Sequence, residues 1–226
     1  MSNGELVGTE LISWIPIGNA TANSTSVFRG VFDGQGCTIT GIYMNSTAAH
    51  AGLFSQTTSK SQIRNVRLDN CYFGSTQDSV GSIVGRANGG TFDSIYCGRD
   101  VLVKSTNTSI GGVIGRGQYN GGTISVNNCW FAGTVKADKS GTTGRVYCGG
   151  IVGNLVQGTL NISNCLNTGN VSCKNSATSY STQYAVGGIC GGTQNAVSYL
   201  NMSNCFNSGS VSATTNNVSS SNGVRG

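Results

Sequence analysis

Val80-Gly81-Ser82-Ile83-Val84-Gly85 returns thirty residues later as Ile110-Gly111-Gly112-Val113-Ile114-Gly115. It returns again as Cys148-Gly149-Gly150-Ile151-Val152-Gly153 and as Val186-Gly187-Gly188-Ile189-Cys190-Gly191. A degenerate first copy is Ala51-Gly52-Leu53-Phe54-Ser55, so the leading glycines stand at 52, 81, 111, 149 and 187, in steps of 29, 30, 38 and 38. Self-similarity at such a period is the signature of an array in which each unit buries its apolar face against the next.

A second word follows each copy: Leu68-Asp69-Asn70-Cys71, Val126-Asn127-Asn128-Cys129, Ile162-Ser163-Asn164-Cys165 and Met202-Ser203-Asn204-Cys205, with Ser94-Ile95-Tyr96-Cys97 as a weaker form. A third follows soon after: Gly133-Thr134-Val135, Gly169-Asn170-Val171 and Gly209-Ser210-Val211. Short apolar words bounded by Gly and Asn read as strands between turns. Three words per unit predict three strands per turn of the chain, each stacked on its successor at about 4.8 Å in parallel. The fold expected is all-β, a right-handed parallel β-helix (β-solenoid) of about five glycine-rich coils. Glycine is expected to supply positive φ at the corners. The extra length of the later units, from Ser172 to Ala185, is expected to project as a loop.

Composition agrees with a folded array. The 226 residues include 35 glycines, one proline (Pro16) and 9% charged residues, yet 37% are hydrophobic and regularly placed. No apolar run approaches the roughly 18 residues of a membrane span, so no membrane insertion is expected in this segment. The net charge is +5, but the basic residues are scattered rather than gathered into a stripe, which argues against nucleic acid as a partner. Met1–Gly8 has neither the basic start nor the apolar centre of a secretory signal. Residues 1–27 are expected to cap the array, with Trp14 and Ile17 as apolar plugs, and 28–226 to hold the repeats. Asn222-Gly223-Val224-Arg225-Gly226 reads as another repeat beginning, so a continuation is expected.

Phe28-Arg29-Gly30-Val31-Phe32-Asp33-Gly34-Gln35-Gly36-Cys37-Thr38-Ile39, preceded by Trp14-Ile15-Pro16-Ile17-Gly18 and followed by Gly52-Leu53-Phe54, resembles the opening of GLUG-motif repeat proteins. The later Gly-Gly-Ile-Val-Gly words resemble the GLUG repeat itself. The resemblance runs from Trp14 onward and implies a secreted or cell-surface protein, mainly bacterial, of adhesin-like type. The family also includes regions of some immunoglobulin-A peptidases outside their catalytic centre. It offers no family-wide catalytic residues to transfer, and this chain departs from it in its richness in cysteine.

The nine cysteines are Cys37, Cys71, Cys97, Cys129, Cys148, Cys165, Cys173, Cys190 and Cys205. Five of them, Cys71, Cys97, Cys129, Cys165 and Cys205, share one place in the words above. A buried ladder of free thiols is expected, because in-register side chains point the same way and suit a bridge poorly. Disulfides are the alternative, and an odd total leaves one thiol unpaired in a monomer. No C-x-x-C pair exists and His50 is the only histidine, so neither a metal nor another cofactor is expected.

Catalysis on such a scaffold calls for paired carboxylates or a base beside a nucleophile. Eight acids are available: Glu5, Glu10, Asp33, Asp69, Asp78, Asp93, Asp100 and Asp138. Asp33 reads as a turn residue. Stacking would make Asp69 and Asp93 the best pair, with nothing basic repeating beside them. His50 alone is a thin basis for a triad. No catalytic residue is therefore assigned, and the chain is expected not to be an enzyme. Sequons stand at Asn19, Asn23, Asn45, Asn107, Asn161, Asn170, Asn201 and Asn217. The expected role is adhesion or spacing in a larger extracellular protein, with a host or matrix glycan or glycoprotein as partner. Binding is expected on the 172–185 loop or on exposed Tyr and Asn. The alternatives are a filament subunit that self-associates through open ends and a carbohydrate-active β-helix enzyme.

Overall fold

The computed structural model describes residues 11–18, 26–47, 49–140, 144–176 and 182–215. They are all-β, with no helix among them. The strands form three parallel sheets of twelve, six and four strands. The chain visits the sheets in turn. Trp130–Phe131 lies in the largest, Thr134–Lys139 in the six-stranded, Gly144–Gly149 in the four-stranded, and Val152–Ser163 in the largest again.

Neighbouring strands are one sequence repeat apart. Val80 pairs with Ile110, Gly111 with Gly149 and Gly149 with Gly187, reproducing the spacing of the glycine words. The third word also stacks on itself, through Val135, Val171 and Val211. Side chains alternate in and out, as in Val101–Ser105, where buried and half-buried residues take turns. The inward ones stack into rows such as Ile63–Phe92–Val126–Ile162 and Phe73–Val103–Val135–Val171. All eight are 0 or 1% exposed and belong to one core cluster. Burying each is worth about 1.5–3 kcal/mol, so the repeated apolar positions are what hold the passes together.

The glycines of the main word act differently from expectation. Gly81, Gly111, Gly115, Gly149 and Gly153 have no positive φ. They lie where the four-stranded sheet folds back against the start of the largest one. A Cβ on Gly153 would stand 2.5 Å from the Gly115 carbonyl oxygen and 2.6 Å from the Ile110 carbonyl carbon. Their role is close backbone approach, which any side chain would prevent. Positive φ is instead supplied by glycines outside that word, among them Gly89, Gly90 and Gly158, and by a series of non-glycine corners: Asn65 (φ 54°), Asn70 (47°), Ser94 (54°), Asn128 (53°), Asn164 (52°) and Asn204 (51°). Asn tolerates this region better than most L-residues.

The five cysteines do not form one ladder. Cys129, Cys165 and Cys205 stack, each following a left-handed Asn. Cys97 lies two positions further along, paired with Leu68 and Phe131, and Cys71 lies in the six-stranded sheet opposite Val101. The word misled because Ser94, not Tyr96, takes the left-handed corner. Ile95 therefore occupies the place that Cys129 holds in the next unit. All nine cysteines are free thiols.

At the beginning of the described residues Trp14 packs against the core, and its backbone N–H donates to the Tyr43 carbonyl at 2.6 Å. Ile17 bridges Phe54 through the backbone, but its side chain is 37% exposed. Phe28 and Phe32 cover Phe54 instead, with ring centroids 4.7 and 5.3 Å away. The expected 172–185 loop is mostly strand, Asn170–Asn175 and Thr182–Gly187; residues 177–181 lie outside the described residues.

Candidate functional site

The left-handed corner of the largest sheet repeats in register, so Asn65, Ser94, Asn128, Asn164 and Asn204 form a row on the outside of the molecule. Their side chains bind along it. Asn65 Nδ2 donates to Asp33 Oδ1 at 3.0 Å, Asn128 Nδ2 to Asp93 Oδ1 at 2.8 Å, and Asn204 Nδ2 to Asn164 Oδ1 at 3.3 Å. Two positions further along each strand, a second outward row begins with Arg67, Tyr96 and Trp130, paired in that order, and continues through Leu166 and Phe206.

Between the rows lies an open groove of about 870 Å³, lined by Asp33, Gln35, Asn65, Arg67, Tyr96 and Trp130 among others. Trp130 is 42% exposed. Its Nε1–H donates to Thr168 Oγ1 at 2.9 Å, which fixes the plane of the indole. Tyr96 meets it edge-on, with centroids 4.9 Å apart and planes at 69°. The Arg67 guanidinium stands 5.7 Å from the centre of the Tyr96 ring, a cation–π distance. Among the described residues Arg67 forms no ion pair.

A charged row begins at Asp33 in the groove lining. Asp33 Oδ2 accepts from Arg64 Nε at 2.9 Å, and Arg64 pairs in register with Asp93. The amide of Asn65, the Gln35 N–H and Arg64 together hold the Asp33 carboxyl down at about 2. The pairing of Asp69 with Asp93 does not occur. Arg64 sits opposite Asp93, whereas Asp69 lies beside Gly98, five residues out of register. A shared distance from the cysteine words could not reveal this, because those words themselves are offset.

His50 lies elsewhere, 7% exposed, and its Nδ1 has no hydrogen-bond partner. Burial, then the charges of Arg86 and Arg116, push its pKa down to about 4, against a smaller upward pull from Asp78. Arg116 is itself ion-paired with Asp78. Among the described residues no group of three His, Cys, Asp or Glu is placed to hold a metal ion, and no helix is long and apolar enough to cross a membrane.

The sequence singled out exposed Tyr and Asn in general terms. It did not single out Arg67, Tyr96 or Trp130, because a row that changes residue type at every step leaves no repeated word. No protein family matches the chain, and comparison with curated proteins and with solved structures also finds no match.

Proposed function

We propose that the chain is a non-catalytic adhesion module of an extracellular or cell-surface protein, and that the groove beside Trp130 is its glycan-binding face. The supporting observation is the exposed, hydrogen-bonded indole of Trp130 beside Tyr96, Arg67 and a row of amides. Sugar rings present apolar faces that stack on aromatic rings and hydroxyls that pair with amides. A concave site with a few fixed polar groups is where such ligands bind.

The same reading takes the three parallel sheets as the walls of a right-handed parallel β-helix of about five coils, related to GLUG-repeat proteins. In-register stacking of the glycine and valine words at one repeat per strand supports it. Right-handed crossovers are the rule between parallel strands.

A glycan and host-glycoprotein array tests the function, scored for both retention and cleavage and run beside Trp130→Ala. Retention without cleavage, lost in the variant, is the expected result. Cleavage would refute the non-catalytic reading. A blank array with a folded protein would refute glycan binding. It would move a spacer or filament role forward, for which Tyr199, Met202 and Phe206, more than half exposed on the last described strands, are the specific observation. Negative-stain microscopy then separates these two.

A further inference from the structure

Four successive passes of the chain contribute to the groove: Asp33 and Gln35, then Asn65 and Arg67, then Ser94 and Tyr96, then Asn128 and Trp130. At about 4.8 Å between neighbouring strands, the lining extends about 14 Å along the stacking direction. A single sugar would leave most of it empty. An elongated chain lying across the strands would meet a ring surface or an amide at every pass.

Charge decides what kind of chain. Asp33 and Asp93 are already bonded, the first by Arg64, Asn65 and Gln35, the second by Ser94 and Asn128. Arg67 has no carboxylate partner among the described residues and faces the groove next to the stacking surface. Its planar fork suits a carboxylate or sulfate in two parallel hydrogen bonds. The net charge of +5 favours the approach of a polyanion.

From this geometry we infer that the groove takes a linear, acidic glycan. Its chain runs along the Arg67–Tyr96–Trp130 row, one ring stacks on the exposed indole of Trp130 beside Tyr96, and the anionic group of a nearby ring pairs with Arg67. The inference rests on the glycan-binding reading of the same groove. A nucleic acid, which also offers flat rings and anions, fits less well. Its closely spaced phosphates would run past Asp33 and Asp93, and a single unpaired cation is too little to neutralise them.

Calorimetric titration of the full chain tests this. The probes are a tetrasaccharide of alternating glucuronic acid and N-acetylglucosamine, its carboxyl-reduced neutral counterpart, a sulfated tetrasaccharide and a single-stranded oligothymidylate. The acidic probes are expected to bind at least tenfold more tightly than the neutral one. Arg67→Gln should abolish that preference, bringing the acidic probes to the affinity the same variant shows for the neutral one, and Trp130→Ala should weaken all three saccharides. The ratio of the two acidic affinities tells carboxylate from sulfate.

Equal affinity for the acidic and neutral tetrasaccharides, or an acidic preference that survives Arg67→Gln, would overturn the inference and leave the glycan-binding reading standing. Loss of every saccharide signal in a protein that unfolds normally would overturn both. So would an oligothymidylate bound more tightly than any sugar.

Discussion

The thiol of Cys165 donates to the carbonyl of Ser163, two residues back, at 3.2 Å. Cys129 and Cys205 repeat the contact with Asn127 and Ser203 at 3.1 and 3.2 Å. Each thiol also leans toward the preceding strand, where the acceptors are the carbonyls of Val126, Phe92 and Ile162. Ile95 takes the same stacked position one pass before Cys129, so an apolar side chain serves there too. Cys129→Val and Cys165→Val are therefore expected to fold with losses of about 1 kcal/mol or less, the range of volume-conserving core changes. Urea denaturation measures this, and a loss of several kcal/mol in either variant would mean that the thiol hydrogen bonds dominate.

Thiol accessibility gives a second check on the same interior. Cys37 is exposed, Cys205 and Cys190 are intermediate, and the other six are buried. Burial pushes the Cys97 thiol up to about 12 and that of Cys190 up to about 11, which removes the reactive thiolate at neutral pH. Titration with a chromogenic disulfide reagent should show one fast thiol in the native protein, lost in Cys37→Ser, slower reaction of the half-buried Cys205 and Cys190, and the six buried thiols only on unfolding. Fast reaction of Cys97 or Cys129 would show that the core opens readily.

Close backbone approach makes Gly153 and Gly41 unequal. A Cβ on Gly153 would meet the Gly115 oxygen at 2.5 Å, whereas Gly41, at φ 76°, has nothing within 4 Å. Gly41→Ala costs only the left-handed conformation, about 1 kcal/mol. Gly153→Ala must push two backbones apart and is expected to cost on the order of 3 kcal/mol. Comparing the two thermal midpoints tests the assignment: similar shifts would mean that the main-word glycines are corner residues after all.

Regular features of this molecule were legible in the sequence because they recur. Ile110, Cys148 and Val186 stack in the structure as the word predicts, since each repeat presents the same inward position. What was lost is what changes from pass to pass. Ser94 replaces Asn at one corner, and that shifts the apparent place of Cys97 by two residues. The groove depends on Arg67, Tyr96 and Trp130 being neighbours. They are 29 and 34 residues apart, and only the pairing register, not residue type, brings them together.

The row of left-handed corners predicts a graded response. Asn164 has φ 52° and its amide oxygen accepts from Asn204, while Ser94 adopts φ 54°. Leaving αL strain unrelieved costs an ordinary L-residue roughly 1–2 kcal/mol, and glycine nothing. Ser94→Gly should therefore raise the midpoint of thermal unfolding or leave it unchanged, and Asn164→Ala should lower it. An Asn164→Ala protein as stable as Ser94→Gly would show that the corner residues are not held in this conformation.

His50 sets the acid response. Its pKa is about 4 in the folded protein and about 6.5 in an unfolded chain. Between these values the unfolded chain binds a proton that the folded one does not, so stability rises with pH across that window. The contribution is complete above about pH 6.5, falls as the pH drops, and is lost below about pH 4. The full effect is on the order of 3 kcal/mol. The groups that oppose protonation are Arg86 and Arg116, with Asp78 favouring it, so His50→Gln should flatten the profile between pH 6.5 and 4. Because this is the only histidine, its imidazole resonance can be followed directly by NMR. Titration near 6.5 in the native protein, or a variant whose stability falls as steeply as the parent's, would show that His50 is not held neutral by burial.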